Sequence, residues 1–280
     1  MKKTLFLLSI FWVSMSVAQP VRLHISGGFG NYNGDIQQKT FTLAQAKAAV
    51  GAGATFNITD QLALRGDYTF GRLYGDDKYN VKPGLRARNL NFHTYIQELT
   101  VLAEYDIRNL DQHKISPYVF GGFGLFQFSP YTYDSKGKKA HLAGLSTEGQ
   151  GFFPGRKQYK TVQFNFPLGG GIKYALSDDI RIGFEIGLRV LQTDYLDDVS
   201  TTYVDMSTLY SKRGPKAVEL AFRGDELKTN PQQYPAEGAT RGNSNANDFY
   251  YFGLFRIDFR MNWFDNGGSR EKALRCPVKM

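Results

Sequence analysis

One stretch constrains the fold more than any other: Ile180-Arg181-Ile182-Gly183-Phe184-Glu185-Ile186-Gly187-Leu188-Arg189-Val190. Every even position is apolar, and every odd one is Gly, Glu or Arg. A period of two belongs to a β-strand. A soluble strand rarely alternates so cleanly over this length. A strand with hydrocarbon on one side and a polar lumen on the other must do so. The stretch therefore predicts a membrane-spanning strand.

Eight such stretches are expected, at about 21–33, 44–58, 61–73, 92–107, 115–129, 160–175, 179–193 and 247–263. Their connections alternate in length. Thr59-Asp60, Arg108 to Lys114 and Leu176-Ser177-Asp178 are short and rich in turn formers. The other four, about 34–43, 74–91, 130–159 and 194–246, are long. Outer-membrane barrels combine an even strand number, short periplasmic turns and long external loops. The expected fold class is all-β: an eight-stranded antiparallel transmembrane barrel with long external loops and both termini periplasmic.

The alternation also assigns faces. In the third strand Leu62, Leu64, Tyr68 and Phe70 face lipid, in the sixth Phe164, Phe166 and Ile172, and in the eighth Tyr251, Phe255, Ile257 and Phe259. The fifth, Tyr118 to Phe126, is apolar on both faces and cannot be oriented from its pattern. The inward set includes Arg65, Asp67, Glu98, Glu104, Arg181, Glu185, Arg189, Arg256, Asp258 and Arg260. An eight-stranded interior is just wide enough for side chains, and buried charges need partners. A salt-bridged plug is expected; the alternative is an ion pathway, which needs a wider barrel. Glycines inside strands, such as Gly121-Gly122 and Gly169-Gly170-Gly171, permit bending and close approach.

Export is written at the start. Lys2 and Lys3, an apolar run from Thr4 to Val13, and Ser16-Val17-Ala18 predict a signal peptide over 1–18. The barrel then spans 19–264, followed by a basic periplasmic tail, 265–280. These features imply the outer membrane of a Gram-negative bacterium, with its lipids as the first partner. The formal charge of +8 is dispersed rather than gathered on a helix or stripe, which argues against nucleic acid. Cys276 is the only cysteine, so there is no internal disulfide and no cysteine-based metal site. No cofactor pattern is present.

Candidates for chemistry are few. His93, opening the fourth strand, is the one histidine with plausible rim geometry for catalysis, and no nucleophile motif accompanies it. Asp76-Asp77, Asp178-Asp179 and Asp197-Asp198 lack the spacing of a calcium loop. In the longest loop, Pro215 followed by helix formers to Phe222 predicts a short helix. Arg223-Gly224-Asp225 after it is ordinary stop chemistry.

Several segments carry a resemblance. Thr193-Asp194-Tyr195-Leu196-Asp197-Asp198-Val199-Ser200-Thr201-Thr202-Tyr203 is the most specific. With it go Gly27 to Asp35, Arg88 to Phe92, Thr147 to Gly151, Arg241 to Ser244, and Asp248-Phe249-Tyr250. Together they resemble the PorG-type, DUF6089-like barrels of Bacteroidetes, across most of the chain. That resemblance implies a non-enzymatic outer-membrane component of type IX protein secretion, which anchors or assembles a periplasmic ring. Its implied partners are a PorK-like ring lipoprotein and a PorN-like ring protein. The rival reading is a stand-alone structural or adhesive barrel. A periplasmic ring touches only the short-turn rim, so Arg108, Asp111 and Lys114, with Arg270, Lys272 and Arg275 of the tail, are the expected docking residues.

Overall fold

The computed structural model describes residues 21–261; the expected signal peptide and the tail, with Arg270, Lys272, Arg275 and Cys276, lie outside the described residues. The strands are β1 (Val21–Asn33), β2 (Lys47–Asn57), β3 (Leu62–Asp76), β4 (Asn91–Asp106), β5 (Ile115–Gln127), β6 (Tyr131–Tyr133), β7 (Lys139–His141), β8 (Val162–Ala175), β9 (Ile180–Leu191) and β10 (Phe249–Met261). Eight of them close an antiparallel barrel, each paired with its neighbour, and β1 meets β10 from Val21↔Met261 to Asn33↔Phe249. The other two, β6 and β7, form a small hairpin that joins β4 through the pair His93↔Tyr131.

Closure explains how such a chain can sit in lipid, where an unpaired backbone group costs several kcal/mol. No described helix is long and apolar enough to cross a membrane. The strands instead present an apolar outer wall, on which Phe123, Phe164 and Phe255 are 69%, 66% and 67% exposed. In water that wall would be an unsustainable patch.

Short connections all lie at one end. Between β2 and β3 the Leu62 carbonyl accepts from the amides of Ile58 and Thr59, and Thr59 Oγ1 from the Leu62 amide at 2.9 Å. Ser177 Oγ accepts from the Ile180 amide at 3.1 Å in the β8–β9 turn. The opposite end carries the long loops. They hold helices Pro83–Arg88, Met206–Arg213 and Pro215–Ala221, the last where the sequence predicts one.

The structure orients β5. Val119, Phe123 and Leu125 face outward, while Tyr118, Phe120 and Phe126 are buried inside. Aromatics face both ways because the inner ones floor the charged interior: the Arg65 guanidinium lies 4.6 Å from the Phe120 ring centre. One expected lipid contact is corrected. Tyr251 points outward but is only 4% exposed, because the first long loop folds over it. Its hydroxyl donates to the Thr42 carbonyl at 2.8 Å, and its ring lies 5.3 Å from that of Phe41.

Gly122 marks where β4 and β5 press together. A Cβ there would fall 2.9 Å from Leu102 Cα and run into the Val101 carbonyl, both backbone that cannot step aside. At Gly121 the nearest atom would be 3.8 Å away. Gly122→Val should cost about 1–3 kcal/mol and lower the temperature at which the folded band is lost in heat-modifiable gel migration. Gly121→Ala should leave that temperature unchanged; equal sensitivity of the two would refute the close approach.

Candidate functional site

Inside the barrel the charges meet in tiers. Arg65 of β3 stands at the centre, its Nη1 2.7 Å from Glu104 of β4 and 2.7 Å from Glu185 of β9, its Nε 3.0 Å from Asp67. Arg256 of β10 reaches Glu104 at 3.1 Å and Asp258 at 3.1 Å. Lys173 of β8 binds Glu104, and Asp106 at 2.7 Å. His24 Nε2 lies 2.7 Å from Asp67, and the Tyr118 hydroxyl donates to Glu185 at 2.6 Å. A second tier lies nearer the long loops. There Glu98 accepts from Arg189 at 3.2 Å, Asn165 at 2.7 Å and Tyr250 at 3.2 Å.

Two members of the expected set stand apart. Arg181 is bound at the short-turn rim by Asp111 at 3.1 Å, so that expected docking acid is engaged within the chain. Arg260 sits at the same end, half-buried, its amide donating to the Asp179 carbonyl at 2.8 Å. The distance along the strand is the cause: Arg181 is one inward step below Gly183 and two below Glu185, beyond reach of the Arg65 centre. The space left among Glu104, Lys173, Arg181 and Arg256 is only about 10 Å³, room for about one water. These ion pairs fill the described interior.

Above the plug, the long loops fold into a cap. The run Asp194–Ser200 is its buried frame rather than an exposed loop, with only Tyr195 partly open. Asp197 accepts from the Tyr32 hydroxyl, and from the amides of Ile36 and Val199 at 3.2 and 2.9 Å. Asp198 accepts from Thr147 at 2.5 Å and Tyr159 at 2.6 Å. The amides of Ser200 and Thr201 donate to Glu148, both at 2.9 Å, and Arg241 joins Glu148 at 2.9 Å and the Asp198 carbonyl at 2.6 Å. Leu196 N–H donates to Asp248 at 2.9 Å. Arg88 binds Asp77 and donates to the carbonyls of Asp35 and Arg241. Leu196 and Val199 complete an apolar cluster with Ile36, Phe92, Phe126, Phe128 and Leu220. Segments far apart in sequence, including every one that carries the family resemblance, thus meet in one network.

The remaining candidates are placed as follows. His93 is half-buried on the outer wall, stacked on Tyr131 and tilted against Tyr74 at 4.7 Å. The Ser–His contact at this rim is instead Ser129 Oγ with His141 Nδ1, 2.9 Å apart and exposed. No group of three or more metal-binding side chains is arranged among the described residues. Asp77 is occupied by Arg88, Asn80 and the Leu90 amide. Arg223 of the Arg-Gly-Asp triplet pairs with Glu226 at 2.9 Å, and Gly224 is buried. Arg108 and Lys114 are exposed on the short-turn rim. Sequence periodicity could not find Asp35, Asp77, Glu148, Arg241 or Asp248, because a network of loop residues has no period.

Fold and interior define a plugged, capped eight-stranded barrel of the outer-membrane type. The family model described as Domain of unknown function (DUF6089) matches residues 1–211, and the chain belongs to that family. No curated protein matches it. Among solved structures it is similar to Neisserial surface protein A, at 9% identity over 86% of this chain and 97% of that one, TM-score 0.43. It is also similar to Ail of Yersinia pestis, at 7% identity over 87% and 99%, TM-score 0.42. A major outer membrane protein from Thermus thermophilus shares 13% identity over 86% and 99%, TM-score 0.41.

Interior and cap give separate expectations. Glu185→Ala leaves Arg65 and Arg256 short of a buried counter-charge and should cost about 3–5 kcal/mol. Arg181→Ala, whose partner Asp111 is 73% exposed in its side chain, should cost less than ~1 kcal/mol. The melting of the two variants, followed by gel migration, separates them; equal loss would contradict the tiered arrangement.

In the cap, burial pushes the Asp194 carboxyl up to about 8 and the Asp198 carboxyl to about 6, the latter opposed by Arg241. Asp197 and Asp248 are raised by burial and by each other's neighbourhood of carboxylates. A carboxyl raised on folding stabilises most when protonated, below its unfolded value near 3.8, and that stability is lost as pH rises through the folded value. Cap opening, read by hydrogen exchange corrected for intrinsic rate, should therefore become easier between about pH 4 and pH 8. Asp194→Asn should flatten the profile. Protection that grows with pH would refute this.

Proposed function

We propose that this chain is an outer-membrane anchor for the periplasmic ring of a type IX secretion system, with its long loops outside and its short turns in the periplasm. The observation that carries the reading is the plug. A barrel filled by ion pairs and closed by a folded cap is no conduit, so its outer wall and rims remain for work. The resemblance to PorG-type barrels supplies the context, and in this chain the segments that bear it build the cap. A ring of PorK-like lipoprotein and PorN-like protein reaches only the short-turn rim. There Arg108 and Lys114 are exposed, while Asp111 is held by Arg181 and serves more to shape the rim than to meet a partner. In sequence, the tail adds the basic residues Arg270, Lys272 and Arg275.

The test uses detergent-solubilised membranes. In a Cys276→Ser background, a cysteine at Lys136 should react with impermeant maleimide on intact cells, and one at Asp60 should not. The tagged barrel should then co-purify with the ring lipoprotein. The double change Arg108→Glu and Lys114→Glu should reduce that yield about tenfold, as loss of complementary rim charge does. Correct labelling without any ring protein in the eluate would favour the stand-alone barrel.

A further inference from the structure

On the outer wall at the long-loop end, aromatic rings and cations form one cluster that neither the plug nor the cap uses. Arg72 and Tyr74 of β3 face Tyr95 and His93 of β4 as cross-strand pairs. Phe70 stacks on Tyr95 at 5.7 Å, Tyr95 on Tyr131 at 5.9 Å, and Tyr131 on His93 at 5.4 Å. Cations rest on this ladder. Arg72 lies 5.1 Å from the Tyr95 ring centre, Lys139 is 3.8 Å from that of Tyr131 and 5.6 Å from that of Tyr95, and Lys47 is 4.8 Å from that of Tyr74. None of the three has a carboxylate partner among the described residues. The nearby Asp76 is taken by Lys78 at 2.9 Å and by the Tyr74 hydroxyl at 2.6 Å.

Height on the barrel decides what such a cluster meets. Arg72 lies ten residues along β3 from Leu62, about 25 Å up the barrel axis at ~3.3 Å per residue and ~40° tilt. That is the height of the apolar band of an outer-membrane barrel. Below Arg72 the outward residues of these strands are Phe70, Tyr68, Leu99 and Val101, with one neutral polar group, Gln97, paired with Phe70 and accepting from the Tyr68 hydroxyl at 3.1 Å. On β8, β9 and β10 the outward residues near the same rim are Val162, Phe164, Val190 and Phe249, and the exposed Lys160 just before β8 is a single cation. An aromatic girdle alone needs no cations, and solvated cations need no ring ladder. Here both occur together and form a basic clamp at the headgroup level.

We infer that Arg72, Lys139 and Lys47, held over the Tyr74–Tyr95–Tyr131 rings, bind the phosphate of a phosphorylated glycolipid headgroup in the surrounding outer leaflet. Arg72 supplies a planar fork that matches phosphate oxygens, and Lys139 and Lys47 act as point charges. The sugar rings of the headgroup lie against the exposed ring of Tyr133 at the edge of the cluster. A lipid is favoured over a soluble anion because the clamp opens sideways, directly above hydrocarbon-facing Phe70. The inference rests on the outward orientation of the long loops proposed above, and not on any ring partner.

The experiment uses the full chain in phosphatidylcholine nanodiscs doped with phosphorylated lipid A, or with the same lipid A after removal of its phosphates. Lipid retention is read by native mass spectrometry. The wild-type barrel should retain the phosphorylated form about tenfold more than the dephosphorylated one, the loss expected for charge-assisted phosphate contacts. The double variant Arg72→Ala and Lys139→Ala should lose that preference. Lys212→Ala with Lys228→Ala, which removes two exposed cap cations, should keep it. Equal retention of both lipids by the wild type, which needs no variant to fold, would overturn the proposal. So would a double variant that behaves as wild type, or a water-soluble phosphorylated disaccharide that displaces the lipid at equal concentration. Because the purified barrel is used alone, failure here is distinct from failure of the co-purification that tests the ring.

Discussion

The rest of the structure depends on closing eight strands around an interior that admits side chains and little else. Closure pairs the backbone in hydrocarbon, and it then obliges the inward side chains to satisfy one another. The Arg65 centre does this with groups from six strands: His24, Arg65, Glu104, Lys173, Glu185 and Arg256. Such a network also fixes register. A slip of one residue in any strand would turn its charges into lipid and leave their partners bare. The ion pairs thus contribute more to which barrel forms than to how stable it is, since a well-packed apolar plug of equal volume is often as stable.

The cap solves the same problem without periodic structure. Its carboxylates are buried as deeply as those of the plug, yet they are satisfied largely by amides and hydroxyls from distant loops. Glu148 is the clearest case: two amides, one hydroxyl and one guanidinium converge on it from 200–201 and 241. Each contact closes a long loop, and loop closure costs only slowly more with length. Long loops are therefore compatible with order when a few buried acids gather them. The raised Asp194 and Asp198 carboxyls are the consequence, because more acid is buried here than cation to match it.

What the sequence made legible follows from this division. Where one face met lipid, alternation placed strands and facings closely: β1 falls at 21–33 as expected, and the lipid face of β8 is the expected one. Where both faces are apolar, as in Tyr118 to Phe126, periodicity carries no orientation, and only the cations packed on the inner rings reveal it. The predicted helix at Pro215 was readable because Pro and helix formers act locally. The hairpin of β6 and β7 was not, since three residues show no period. Tyr251 misled for a tertiary reason: its outward place in the strand is right, and a loop covers it. Arg181 misled for a metric one, being inward but too low to reach the centre.

The burial of 194–201 changes where recognition is to be sought. A specific run in a long outer loop invites the reading of a binding epitope. Here its side chains are spent inside, so substitution there acts on cap folding before it acts on any partner. Both of our proposals therefore place recognition on surfaces whose residues have no internal task. The short-turn rim offers Arg108 and Lys114, and the outer wall offers the ringed cations about Tyr95. Both are basic, and they lie at opposite ends of the ion-paired interior. On the orientation we propose, one of these surfaces meets the membrane and the other the periplasm, which is the division of labour the proposed anchor requires.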